Sequence, residues 1–144
     1  MKRVLVPIFL FCLVLIGCDS SLQKVSKGLD ATATAIGTLQ TTAISGFSSG
    51  LLDKPTTDII INLCVKVNQA GKEAVAITRA ISQLDQLDST KILAILKPII
   101  SAVGDIVDNG LVGIKDEVLK TKIKGILVGI QTSLNAVQLT LNGG

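Results

Sequence analysis

The feature that most constrains this chain is a spacing: in four segments between residues 22 and 141 its apolar residues recur at steps of three and four. Such steps set side chains along one seam of an α-helix, whereas a half-buried strand repeats every second residue. Leu22, Val25, Leu29, Thr32, Ile36, Leu39 and Ala43 form a first seam. Ile60, Leu63, Val67, Ala70, Ala74, Ile77, Ile81 and Leu84 form a second, and Ile92, Leu96, Ile99, Val103 and Ile106 a shorter third. The fourth carries Leu119, Ile123, Ile126, Ile130, Leu134, Val137 and Leu141. A narrow seam of this kind requires a long, nearly antiparallel neighbour with coiled-coil-like packing. The Ile-rich runs "DIIINL" and "KPIISAV" continue into the same spacing, so they do not argue for strands.

Punctuation between the seams fits helix ends. Ser20 or Ser21 can cap the first helix, although the threonines of residues 31 to 49 lower its propensity, so packing must hold it. "SGFSSG" at 45 to 50 ends that helix. Pro55 with Thr56 or Thr57 opens the second, and Asp58 suits its dipole. Asp88, Ser89 and Thr90 are cap candidates for the third; Pro98 should bend it, and "DNG" at 108 to 110 closes it with Asn or Gly. Asp116 and Lys120 have the spacing of a surface ion pair on the fourth. Ala70, Ala74 and Gly71 predict a close helix approach at the middle of the second. The expected fold class is all-α, an up-down-up-down antiparallel bundle of about four helices forming a single domain.

The first residues read differently. Lys2 and Arg3 precede an apolar run from Val4 to Ile16, shorter than the roughly 20 residues that cross a bilayer. The run ends in Leu15-Ile16-Gly17-Cys18 and then polar residues. This tetrad resembles the lipobox of bacterial lipoproteins. The resemblance implies that residues 1–17 are a signal peptide removed before Cys18, and that residues 18–144 form one lipid-anchored domain. It further implies a diacylglycerol thioether on the Cys18 sulfur and a fatty acyl chain such as palmitate on its new amino group. Each buried methylene contributes about 0.8 kcal/mol, so two or three chains would hold the protein on a membrane almost permanently. The implied location is the bacterial cell envelope, on the inner or outer membrane, at its periplasmic side or the cell surface. Asp19 resembles the acidic signal that retains enteric lipoproteins in the inner membrane; a solvated residue of a flexible stalk is the other reading.

Composition then excludes function classes. Loss of Lys2 and Arg3 with the leader leaves twelve basic residues against eleven acidic ones, a net charge of +1. That gives no electrostatic case for nucleic acid. Phe9 and Phe11 leave with the leader as well, so Phe47 is the only aromatic residue of the mature chain and neither bases nor sugars find a stacking platform. There is no histidine, and Cys64 is the single thiol left once Cys12 is cleaved and Cys18 acylated. No metal site, intramolecular disulfide or cofactor is expected. Cys64 beside the second seam reads as a small buried hydrophobe, with an intermolecular disulfide or a reactive thiol as the alternative.

Asp105 with Asp108, and Asp85 with Asp88, stand three apart, and paired carboxylates can divide acid and base roles. Both pairs flank helix ends in polar company, which reads as caps or solvated charges. Gly125 and Gly129 in "GILVG" have small-xxx-small spacing, read as close packing inside the bundle or as a face that docks a partner or dips into a bilayer surface. The expected function is therefore non-catalytic: a membrane-anchored protein-interaction or structural module with an unknown envelope protein as partner. The alternative is a bilayer-active or lipid-binding bundle that opens its helices onto the membrane. A carboxylate-dependent enzyme ranks third.

Overall fold

Local signals set the limits of each helix. The computed structural model describes residues 20–80 and 88–143, which contain four helices: α1 Ser21–Ser48, α2 Lys54–Arg79, α3 Ser89–Asn109 and α4 Glu117–Leu141. Ser20 opens α1 with a capping box. Its hydroxyl accepts from the Gln23 amide at 3.3 Å, and its own amide donates to the Gln23 side chain at 3.1 Å. At the other end, the Leu51 amide donates to the Gly46 carbonyl and the Gly50 amide to the Phe47 carbonyl, both at 2.9 Å. This is the Schellman pattern, and it holds Gly50 at φ +71°, a left-handed backbone that favours glycine.

Caps of the later helices depart from the sequence reading. The cap of α2 is Asp53, whose carboxylate accepts from the Thr56 amide at 2.8 Å. Thr56 and Thr57 are buried in the first turn instead, and the Thr57 hydroxyl donates back to the Asp53 carbonyl at 2.7 Å. Asp88 caps α3, as expected, through the Lys91 amide at 3.1 Å. Asp116 does not pair with Lys120. Its carboxylate caps α4 by accepting from the Leu119 amide at 2.7 Å, and Lys120 turns to Glu117 at 3.4 Å. Capping does not by itself exclude an ion pair, since Asp88 both caps α3 and meets the Lys91 ammonium at 3.0 Å. α3 continues through Pro98, which is exposed together with Ala94, so the carbonyl that proline leaves unbonded can meet water. Gly110 ends α3 at φ −87°, not in the left-handed region. A Cβ there would stand 2.9 Å from the Ile106 Cα, so proximity reserves the position.

The fold is an all-α, up-down-up-down antiparallel bundle. α1 packs on α2 and α4, and α3 closes the ring against both. The connections after α1 and α3 lie at one end and bind each other: the Lys115 amide donates to the Leu51 carbonyl at 3.1 Å, and the Asp53 amide to the Gly113 carbonyl at 3.3 Å. Gly113 sits so close that a Cβ would strike the Asp53 carboxylate and the Thr56 hydroxyl. This end is distal to Ser20. The proximal end holds Ser20, the last turn of α2, the Asp88 cap and the last turn of α4. With 28 residues, α1 separates the two ends by about 42 Å.

The core is aliphatic throughout, with Ile36, Leu39, Ile60, Ile92, Leu96, Ile123, Leu127, Ile130 and Leu134 fully enclosed. Each such side chain contributes about 1.5 to 3 kcal/mol by leaving water. Most of the seam residues are buried, but Leu22, Ile77, Ile106, Leu119 and Ile126 are only half-buried. Thr78 and Leu127 take inward positions that the seams assigned to Ile77 and Ile126. Buried threonines are tolerated because their hydroxyls bond backwards along the helix: Thr32 to the Gly28 carbonyl at 2.9 Å and Thr78 to Val75 at 2.9 Å. Ile81, Leu84 and Asp85 lie outside the described residues.

Candidate functional site

The expected anchor, Leu15, Ile16, Gly17 and Cys18, lies outside the described residues, as does Asp19. Ser20, two positions after Cys18, is the first residue whose place in the bundle is defined, at the proximal end. No helix among the described residues is long and apolar enough to cross a membrane.

Of the carboxylates noted in pairs, Asp85 lies outside the described residues, so only the pair on α3 is open to inspection. Asp105 and Asp108 are both exposed on α3. Asp88 is engaged as a cap, and its hydrogen bonds to Lys91 hold its carboxyl below the ordinary range. Asp53 is depressed in the same way, first by its hydrogen bonds to Thr56. Among the described residues, no three His, Cys, Asp or Glu side chains converge as metal ligands would.

Cys64 is buried on α2, with its Sγ 4.0 Å from the Ile36 carbonyl oxygen across the α1–α2 contact. Burial pushes its thiol up to about 11, because a thiolate there would lose its hydration. It is a protonated packing group at neutral pH. An enclosed sulfur of this kind is poorly placed for an intermolecular disulfide or for nucleophilic work.

Two features outside the sequence expectations stand out. At the distal end, Val112 is 87% exposed, Val118 79%, Phe47 46% and Leu51 39%. These side chains come from the two crossed connections and the helix turns beside them, where Lys54, Lys115, Glu117 and Lys122 are exposed too. Exposed apolar groups among charged ones are a common form of protein contact surface. The second feature is a cavity of about 390 Å³ between the proximal halves of α1 and α2. Leu29, Ala33, Val67, Val75, Leu96 and Leu134 line it, and Asp30, Asn68, Lys72 and Arg79 stand at its polar parts.

Gly71 belongs to this cavity. A Cβ on it would meet nothing within 4 Å, so the close approach expected at Ala70, Ala74 and Gly71 does not extend to Gly71, whereas Ala70 and Ala74 are buried. Gly125 and Gly129 are likewise exposed with open space around them, and they do not pack inside the bundle. Besides Gly113, the glycines of tightest approach are on α1. A side chain at Gly28 would collide with Val137, and one at Gly46 would come within 2.6 Å of Leu52 and 2.7 Å of Leu119.

Sequence reasoning missed both features for the same reason: each joins residues from segments far apart in the chain. The distal residues carried one signal, Phe47 in a polar stretch, which is the sole aromatic residue after Phe11. No family model matches the chain, nor does any curated protein or any solved structure.

Proposed function

We propose that this chain is a bacterial envelope lipoprotein that works by contact and not by catalysis: lipid on Cys18 holds one end of the bundle to a membrane, and the other end meets a protein partner. The observation that carries this reading is the polarity of the bundle. Ser20, beside the lipidation cysteine, lies at one end, and the exposed Phe47, Leu51, Val112 and Val118 lie about 42 Å away at the other. A stalked bundle of that length would lift an apolar tip clear of the lipid headgroups. The described side chains supply shape and apolar area, they bring no three His, Cys, Asp or Glu together as metal ligands, and the one described thiol, Cys64, is buried.

Two experiments test the two halves of this proposal. Cells expressing the chain with Cys18→Ser should fail to incorporate radiolabelled palmitate, which the wild type takes up; absence of label in the wild type would remove the anchor. A photo-reactive amino acid at Val112 should capture one discrete protein in intact cells, while the same group at the exposed Asn62 on the flank of α2 should not. Equal capture at both positions would contradict a distal contact surface.

The bilayer-active alternative keeps one observation in its favour. α4 is free of charge from Gly125 onward and shows Val128 and Leu139 to solvent, 42% and 65% exposed. Vesicle co-sedimentation with dye leakage at physiological salt would promote it over partner contact.

A further inference from the structure

The cavity between α1 and α2 has a chemistry of its own, independent of any anchor. Its walls are aliphatic: Leu29 and Val67 flank it, with Leu96 and Leu134 from the other two helices beyond them, all four buried. Thr32 adds a hydroxyl in name only, because that group already donates to the Gly28 carbonyl at 2.9 Å. The lining runs along α2 from Val67 to Arg79, about 18 Å of helix, so the space is drawn out along the bundle. Its volume of about 390 Å³ lies at the lower end of the roughly 300 to 1,000 Å³ that ligand pockets occupy. That size suits one hydrocarbon chain better than two.

Charge at the cavity is uneven. Lys72 and Arg79 outnumber Asp30, and neither cation forms an ion pair with another described residue. Both are exposed and reach the solvent edge of the cavity, where long basic side chains can lay their stems on apolar surface and present a charged tip. An elongated aliphatic slot with two cations at its rim is complementary to a single-chain anion. We propose that this cavity binds a long-chain carboxylate, its tail between α1 and α2 and its head at Lys72 and Arg79.

Photo-crosslinking tests this in an ATP-depleted lysate of cells expressing the full chain, with dodecanoate that carries a diazirine at the end of its tail. Light-dependent label is expected on the lining segments around Leu29, Val67, Val75, Leu96 or Leu134; any label already on Cys18 would not need light. Excess dodecanoate should remove the label. Dodecyltrimethylammonium, with the same tail and the opposite charge, should not, and neither should phosphatidylglycerol vesicles, with two chains on an anionic head. Gly71→Leu places a side chain in the open space and should lower labelling at least about fivefold. Lys72→Glu with Arg79→Glu changes only exposed rim residues and should lower it about tenfold. Label spread over the outer faces of all four helices, or equal competition by the cationic amphiphile, would overturn the proposal. So would displacement by phosphatidylglycerol, or full labelling of the rim variant.

Discussion

α1 meets its two neighbours in opposite ways. Against α4 it is close-packed: Gly28 leaves room only for Val137, and Gly46 only for Leu119 and Leu52. Against α2 it closes at Ile36 and Cys64, but further toward the proximal end it opens onto the cavity at Ala33, Ala70 and Gly71. Small residues stand at both interfaces, so their presence alone does not explain the difference. What differs is what faces them. A glycine opposite a valine or leucine forms a hole for a knob, whereas alanine and glycine opposite alanine leave a gap that neither side can fill. Leu29 and Val67 beside the gap are large, and helices spaced by large residues cannot collapse locally onto small ones.

The largest effect is expected where both interfaces are tight. Leu63→Ala on α2 and Leu127→Ala on α4 should each cost about 2 to 5 kcal/mol in urea unfolding, since both side chains are buried in the common core. Ile77→Ala should cost less than about 1 kcal/mol, because Ile77 is only half-buried at the cavity end of α2. A large loss at Ile77 would mean that α2 is packed there as tightly as α4.

A smaller effect marks the level at which α1 and α2 close. The Cys64 thiol titrates near 9.0 when unfolded and is raised to about 11 in the fold. A raised folded value stabilises fully below pH 9.0 and is lost as pH rises toward about 11. Stability should therefore fall over that alkaline window, and Cys64→Ala should remove part of the slope. If the slope is unchanged, the sulfur reaches water and the α1–α2 contact at Ile36 is open too.

Legibility in the sequence divided along the same line. Seams at steps of three and four identified the inward face of every helix, because burial of a helix face is a local, periodic property. The places of the caps at Ser20 or Ser21 and within Asp88, Ser89 and Thr90 were readable for the same reason, and Ser20 and Asp88 fill them. Thr56 and Thr57 were mistaken for the cap that Asp53 supplies, since any of the three residue types can accept from a first-turn amide. Gly125 and Gly129 share the spacing of a packing motif yet face open space, and Gly28 and Gly46 do the packing without that spacing. A seam specifies which face turns inward and not which residue of another helix it will meet. The cavity, which needs four helices to exist, was therefore out of reach of any single segment.

The smallest effects belong to the caps. Asp53 and Asp88 are held below the ordinary carboxylate range, so each stabilises the fold above its unfolded pKa and loses that contribution as pH falls through its lower folded value. Asp53→Asn should flatten the acid limb of the stability profile, and Asp88→Asn should do the same near the cavity end. Identical acid limbs in the wild type and both variants would show that these hydrogen bonds do not hold in solution.

The contrast between the two faces of α1 is tested most directly by making one change on each side. Gly28→Ala and Gly71→Ala add the same methyl group to helix interiors, where alanine alone would stabilise by about 0.5 to 1 kcal/mol. At Gly71 the methyl enters open space, and the melting temperature should rise. At Gly28 it meets Val137, and overpacking of about 1 to 3 kcal/mol should outweigh the propensity gain and lower the melting temperature. Opposite shifts are the predicted result. Shifts of the same sign would contradict a bundle that is closed against α4 and open against α2.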